Sequence, residues 1–139
     1  MQFNKDMVFF GSDLDRSRMA VEKEKMKQFF PGFDFYATGG TVTSVQGTIS
    51  TSYGNSYYVK VIIGSRYPYT LPTVTLPHTT LDSGPHQFKG SELCLMKSEQ
   101  WSSTLSLACL VTKAAVWLNK YDSWKRNGKR SWPGKGQKH

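Results

Sequence analysis

A chain of 139 residues, 38% hydrophobic and 14% aromatic, has apolar material for one core and too little length for two of ordinary size. Its longest apolar runs fall far short of the roughly 20 residues that span a bilayer, and the opening MQFNKDMVFFGSDLD shows no cleavable signal pattern, so a soluble, cytoplasmic protein is expected. The net charge of +8 is not spread evenly: Lys125, Arg126, Lys129, Arg130, Lys135 and Lys138 follow Asp122 with no acid among them, which makes the excess a basic tail, solvated or reserved for phosphates or an acidic partner.

Residues 12–30, SDLDRSRMAVEKEKMKQFF, read as a helix. Ser12 stands as its cap, Asp13 and Asp15 suit the positive end of its first turn, and Pro31-Gly32 stops it. Leu14, Met19, Met26 and Phe30 fall along one face, where they are expected to pack. Glu22, Lys23, Lys25 and Lys27 are expected in solvent.

Residues 34–76 change period. DFYAT, TVTSVQGTIS, SYYVKVIIG and TVTL are rich in Val, Ile, Thr and Tyr and are broken by Gly-Gly, Gly-Asn and Pro. Gly54-Asn55 fits a hairpin tip, and Tyr57, Val59, Val61 and Ile63 alternate with Tyr58, Lys60 and Ile62 as in a half-buried antiparallel strand. One helix followed by a meander of about four strands is predicted.

Residues 77–103 have no clear period, and an irregular connection of that length is usually functional or disordered. The apolar centre Leu93-Cys94-Leu95 argues that this one packs. Residues 104–123, TLSLACLVTKAAVWLNKYDS, form a second helix that is apolar nearly all round and therefore sandwiched. Cys109 belongs to that helix and reads as a buried structural thiol. The organisation is α+β, with a domain over 1–124 and the tail over 125–139.

Neither cysteine is expected to be in a disulfide, because the cytosol keeps thiols reduced and a domain of this size needs no staple. No CxxC or HxxxH spacing occurs and His78, His86 and His139 are scattered, so no metal or other cofactor is expected. The residue types alone favour a buried, inert thiol for Cys94 over a nucleophile.

Three motifs in order decide between them. Tyr67-Pro68-Tyr69-Thr70-Leu71-Pro72-Thr73-Val74 resembles the YPxxPPxV segment that ubiquitin-conjugating enzymes place before their fourth strand. Gly90-Ser91-Glu92-Leu93-Cys94-Leu95 is similar to their GxICL, with one inserted residue, and Trp101-Ser102-Ser103-Thr104-Leu105 resembles the WSPALT that opens their next helix. With the preceding helix and meander, the resemblance covers most of residues 12–124. It implies the ubiquitin-conjugating fold, without the two extra C-terminal helices of the eukaryotic enzymes. The ending Trp132-Pro133-Gly134, after Trp117, Tyr121 and Trp124, looks like the bacterial branch, which occurs in anti-phage CBASS operons beside cGAS-like nucleotidyltransferases.

The resemblance also implies a chemistry. Cys94 would accept a C-terminal glycine acyl group as a thioester and pass it to an amine, the donor being a ubiquitin-like protein or the C-terminus of such a nucleotidyltransferase. No GxxxxGK or GxGxxG is present to bind a nucleotide, so an activating enzyme or other acyl donor is an implied partner. The family normally carries His-Pro-Asn upstream, with the asparagine eight residues before the cysteine. Here Gly84-Pro85-His86 occupies that register, making His86 the candidate to favour the thiolate or to donate to the oxyanion. Tyr67 and Trp101 read as packing residues that shape the groove. Two other classes fit less of the sequence. One is a catalytically inactive binding module on the same fold, against which the retention of Cys94 argues. The other is a basic nucleic-acid adaptor, for which the tail lacks any known aromatic–basic interleaving.

Overall fold

The N-terminal helix is shorter than its sequence pattern. The computed structural model describes residues 2–82 and 91–133, with the backbone of 88–89 between them. Within it Gly11–Asp15 forms a 3-10 turn and helix α1 runs over Arg18–Phe29. Gly11 takes φ +58, a left-handed conformation that a continuous α-helix does not contain. Asp13 instead lies beside α1, its carboxylate 3.2 Å from the Lys25 ammonium. Leu14 is therefore exposed and not on the core face.

Glu22 and Lys25, expected in solvent, are buried. At the helical period they share a stripe with Val21 and Met26, and a charge on that stripe must find partners inside. Lys25 donates to the Asp6 carbonyl and to Asp13. Lys23 and Lys27 are exposed as expected. The segment before α1 also enters the core through Met7 and Phe9, held by the Phe9 N–H donating to the Thr104 carbonyl at 2.7 Å.

The meander follows as predicted: β1 (Asp34–Thr38), β2 (Thr41–Ser50), β3 (Ser56–Ile62) and β4 (Thr73–Thr75). Gly39 and Gly40, both at positive φ, turn β1 into β2, and Gly54 at φ 86 turns β2 into β3. Two short strands, β5 (Phe88–Lys89) and β6 (Glu92–Leu93), extend the sheet to six in the order β1-β2-β3-β4-β6-β5, every pair antiparallel. They lie inside the segment that showed no period, because two residues per strand are too few to display one. Val45, Ile49, Val59, Val61, Val74 and Leu93 turn inward and are buried.

Helix α2 spans Leu107–Arg126. It starts later than the apolar run suggests because Ser102 makes a local turn, accepting from the Thr104 and Leu105 amides at its hydroxyl and carbonyl. Ser106 then caps the helix, its hydroxyl accepting from the Cys109 amide at 3.2 Å. The helix is buried on several sides, as its composition requires. Leu107, Leu110, Ala114, Trp117 and Leu118 are almost fully enclosed, each large side chain contributing roughly 1.5–3 kcal/mol of transfer free energy against its ordering cost. Cys109 faces the N-terminal segment, with Sγ 3.5 Å from the Met7 carbonyl. Trp132 packs against Trp117 and Trp124 at centroid separations of 5.4 and 6.2 Å, so the chain beyond α2 folds back onto it.

A buried polar cluster locks α2 to the sheet. Asp122 accepts from the hydroxyls of Thr51 and Tyr57 and from Asn55 Nδ2 at 3.1 Å, and Asn119 Oδ1 accepts from the Ser52 amide at 2.9 Å. The β2–β3 tip is thereby fastened to the helix, which leaves the opposite, β4–β6 end of the sheet to carry Cys94. No helix among the described residues is long and apolar enough to cross a membrane.

Candidate active site

Cys94 follows directly on β6, whose Leu93 pairs with Val74 of β4. Burial alternates along this stretch: Glu92 is half-buried, Leu93 buried, Cys94 half-buried and Leu95 buried. That is the two-residue period of extended chain, with the Leu pair anchored in the core and Glu92 and Cys94 sharing the other face. Cys94 opens on a cavity of about 200 Å³ walled by Leu71, Pro72, Met96 and Leu110 and edged by Glu92 and Lys97. Burial, and secondarily the Glu92 carboxylate, push the Cys94 thiol up.

A buried charge network that the sequence did not disclose ties α1 to the YP segment, which supplies Leu71 and Pro72 to this cavity, and to the turn before α2. Glu22 Oε1 accepts from the Leu107 amide at 2.9 Å, at the N-terminus of α2. Glu22 Oε2 accepts from Arg18 Nε at 3.1 Å and from the Tyr67 hydroxyl. Arg18 in turn donates to the carbonyls of Ser103 and, at 2.8 Å, Leu105, while its guanidinium lies 3.8 Å from the centre of the Phe9 ring. Trp101 Nε1 donates to the Pro68 carbonyl at 2.8 Å, its ring 6.1 Å from that of Tyr67. Tyr67 and Trp101 thus pack as expected, and Tyr67 also closes a hydrogen-bond circuit. Burial pushes the Glu22 carboxyl up, against the pull of Tyr67, the Leu107 amide and Arg18, and drives the Tyr67 hydroxyl far above its ordinary range.

The order of these parts is the deciding geometry: a helix, an antiparallel meander, a YP segment entering β4, a cysteine one strand further on, and a Trp-Ser turn into a central helix. Residues 22–139 match the type II CBASS E2 protein family. The chain belongs to that family. Among solved structures this E2 is similar to the E2 domain of a ubiquitin conjugating enzyme from Toxoplasma gondii, 17% identical, covering 80% of this chain and 89% of that one with a TM-score of 0.56. The likeness establishes the ubiquitin-conjugating fold. No curated protein matches the E2.

The E2 separates its two thiols by environment. Cys94 sits at a cavity mouth, whereas Cys109 is enclosed in α2. His86, with Gly84 and Pro85, lies outside the described residues, as do Lys135, Lys138 and His139 of the tail. His78 stands against Tyr58, ring centres 5.3 Å apart. Lys125 and Lys129 of the basic stretch reach Asp82 at 3.4 and 3.0 Å. A groove of about 850 Å³ runs between the Phe30–Phe33 turn, the end of β2 and α2, and none of the predicted site residues lines it.

Glu92, Glu22 and Arg18 escaped the sequence reading. Glu92 had a usable signal, because the two-residue period of SELCL places it on the Cys94 face. Glu22 had none, since a glutamate among lysines on a helix reads as solvated until its partners from distant segments are known.

Proposed function

We propose that this E2-like protein of CBASS defence is an acyl carrier: Cys94 takes a C-terminal glycine acyl group as a thioester and transfers it to an amine. The observation that carries the reading is the position of Cys94, half-exposed on a small apolar-walled cavity and fixed from below by Leu93 and Leu95. A thiol suits the role because a thioester keeps the acyl carbon activated where an oxyester would strand it.

The donor is the C-terminus of a ubiquitin-like protein or of a cGAS-like nucleotidyltransferase, delivered by an activating enzyme that supplies the nucleotide chemistry. His86, in the register of the family's asparagine, assists loading or discharge by hydrogen bonding to the oxyanion, a contribution of roughly 3 kcal/mol for one well-placed donor. The protein works in the cytoplasm. The Arg18–Glu22–Tyr67 network supports the assignment by fixing the YP segment, which walls the Cys94 cavity through Leu71 and Pro72, to α1 and the turn before α2.

The test is co-expression with the genes that flank this one, followed by a non-reducing gel. A thiol-sensitive adduct is expected that disappears in Cys94→Ala, becomes a thiol-resistant oxyester in Cys94→Ser and forms or discharges slowly in His86→Ala. An adduct that survives Cys94→Ala would overturn the assignment, and wild-type rates in His86→Ala would remove His86 from it.

A further inference from the structure

Resting on the thioester reading above, we infer that Glu92 is the base that takes the proton from the attacking amine when the acyl group leaves Cys94. Glu92 and Cys94 lie on the same face of an extended segment and edge the same cavity. Alternate residues of a strand are about 7 Å apart at their α-carbons, which leaves room for one amine nitrogen between the carboxylate and a carbonyl carbon on the sulfur. Glu92 is the only acid lining that cavity among the described residues, its other charged member being Lys97. The strand register sets Thr75 on one side of Glu92 and Lys89 on the other.

The remaining buried or half-buried acids are already committed. Glu22 accepts three kinds of donor and Asp122 accepts from three side chains. Among the described residues the Glu92 carboxylate has no hydrogen-bond or ion-pair partner. The walls of Leu71, Pro72 and Met96 exclude water from one side and strengthen attraction between a carboxylate and a developing ammonium. The upward push of Glu92 on the Cys94 thiol is a second sign that the two groups sense each other's charge.

The step balances without a further reactant. The amine nitrogen attacks the thioester carbonyl carbon and the C–N bond forms. Its surplus proton passes to the Glu92 carboxylate. The carbonyl re-forms as the C–S bond breaks, and the electron pair leaves on the Cys94 sulfur. Glu92 then returns the proton to that thiolate, a thiolate being a stronger base than a carboxylate. Thioester and amine become amide and thiol, and Glu92 is regenerated.

The experiment loads the full chain with the 2-mercaptoethanesulfonate thioester of acetylglycine and follows discharge to free lysine by intact mass. Glu92→Gln is expected to slow discharge roughly 100-fold, with Glu92→Asp falling between it and wild type. The same Gln variant is expected to react faster with iodoacetamide before loading, because removing a neighbouring negative charge lowers the thiol pKa. A thermal midpoint for Glu92→Gln within about 2 °C of wild type separates this outcome from a loosened fold, which would also expose Cys94 to alkylation. Discharge of Glu92→Gln within about twofold of wild type would overturn the inference and leave the thioester reading standing. Failure of wild-type Cys94 to accept the acyl group would overturn the thioester reading itself and take this inference with it.

Discussion

Replacing Glu22 with alanine removes the carboxylate that joins α1 to Tyr67 and to the start of α2. The Leu107 amide, at the start of α2, loses its side-chain acceptor in a fully buried position, at a cost of about 1–3 kcal/mol for an unsatisfied donor. Arg18 and Tyr67 lose a shared partner, but the guanidinium keeps the Ser103 and Leu105 carbonyls and its side chain remains 22% exposed. The ion-pair loss therefore stays at the low end of the 3–5 kcal/mol typical of orphaning a buried charge, and the two losses overlap because they share one carboxylate. A destabilisation of about 3–4 kcal/mol at pH 7 follows, read as a fall of roughly 2 M in the urea midpoint with an unchanged slope. A loss below about 1 kcal/mol would refute the claim that this network holds the site together. A pH series sharpens the test. Because burial raises the Glu22 carboxyl in the folded state, the native protein holds this proton to higher pH than the unfolded chain. The associated stability is full below the ordinary glutamate range and is lost as pH rises through the raised value. Glu22→Gln is expected to remove that downward slope.

Gly47→Ala is predicted to destabilise the fold by about 1–3 kcal/mol, since an added Cβ would stand 2.5 Å from Phe33 Cδ1 and 2.9 Å from the Phe33 Cα. Thermal unfolding checks it, and an unchanged midpoint would contradict the close packing of β2 on that turn. For Cys94, a raised thiol means a smaller thiolate fraction at neutral pH than in a free cysteine. Iodoacetamide alkylation is therefore expected to keep accelerating above pH about 8.5, and a plateau near pH 7 would show an activated thiolate at rest.

Much of the fold was legible because it repeats a local period. Val59, Val61 and Ile63 alternate with outward neighbours, and the stretch from Leu107 to Trp117 is apolar on too many sides for a surface helix. The start of α1 was misplaced because Ser12 and Asp13 satisfy capping rules that Gly11 and the Asp13–Lys25 pair override. Glu22 and Lys25 were misassigned for a related reason: local pattern prices a charge as though water were its only partner, and tertiary structure supplies others. At the site, ordered motifs singled out Cys94, Tyr67 and Trp101, while the short β5–β6 pair that positions Cys94 was too brief to leave a period. Arg18 was invisible as a site residue because, Glu22 apart, its hydrogen-bond partners lie some 49 to 87 positions away in the chain.

The central claim stands or falls on the bond at Cys94. Intact mass and peptide mapping of the protein recovered from cells expressing its flanking genes, without reductant, measure it directly. A glycyl acyl group mapped to Cys94, released by thiols and absent from Cys94→Ala, is the predicted result. An unmodified Cys94 beside an acyl group on Cys109 or on a lysine that forms equally in Cys94→Ala would contradict it.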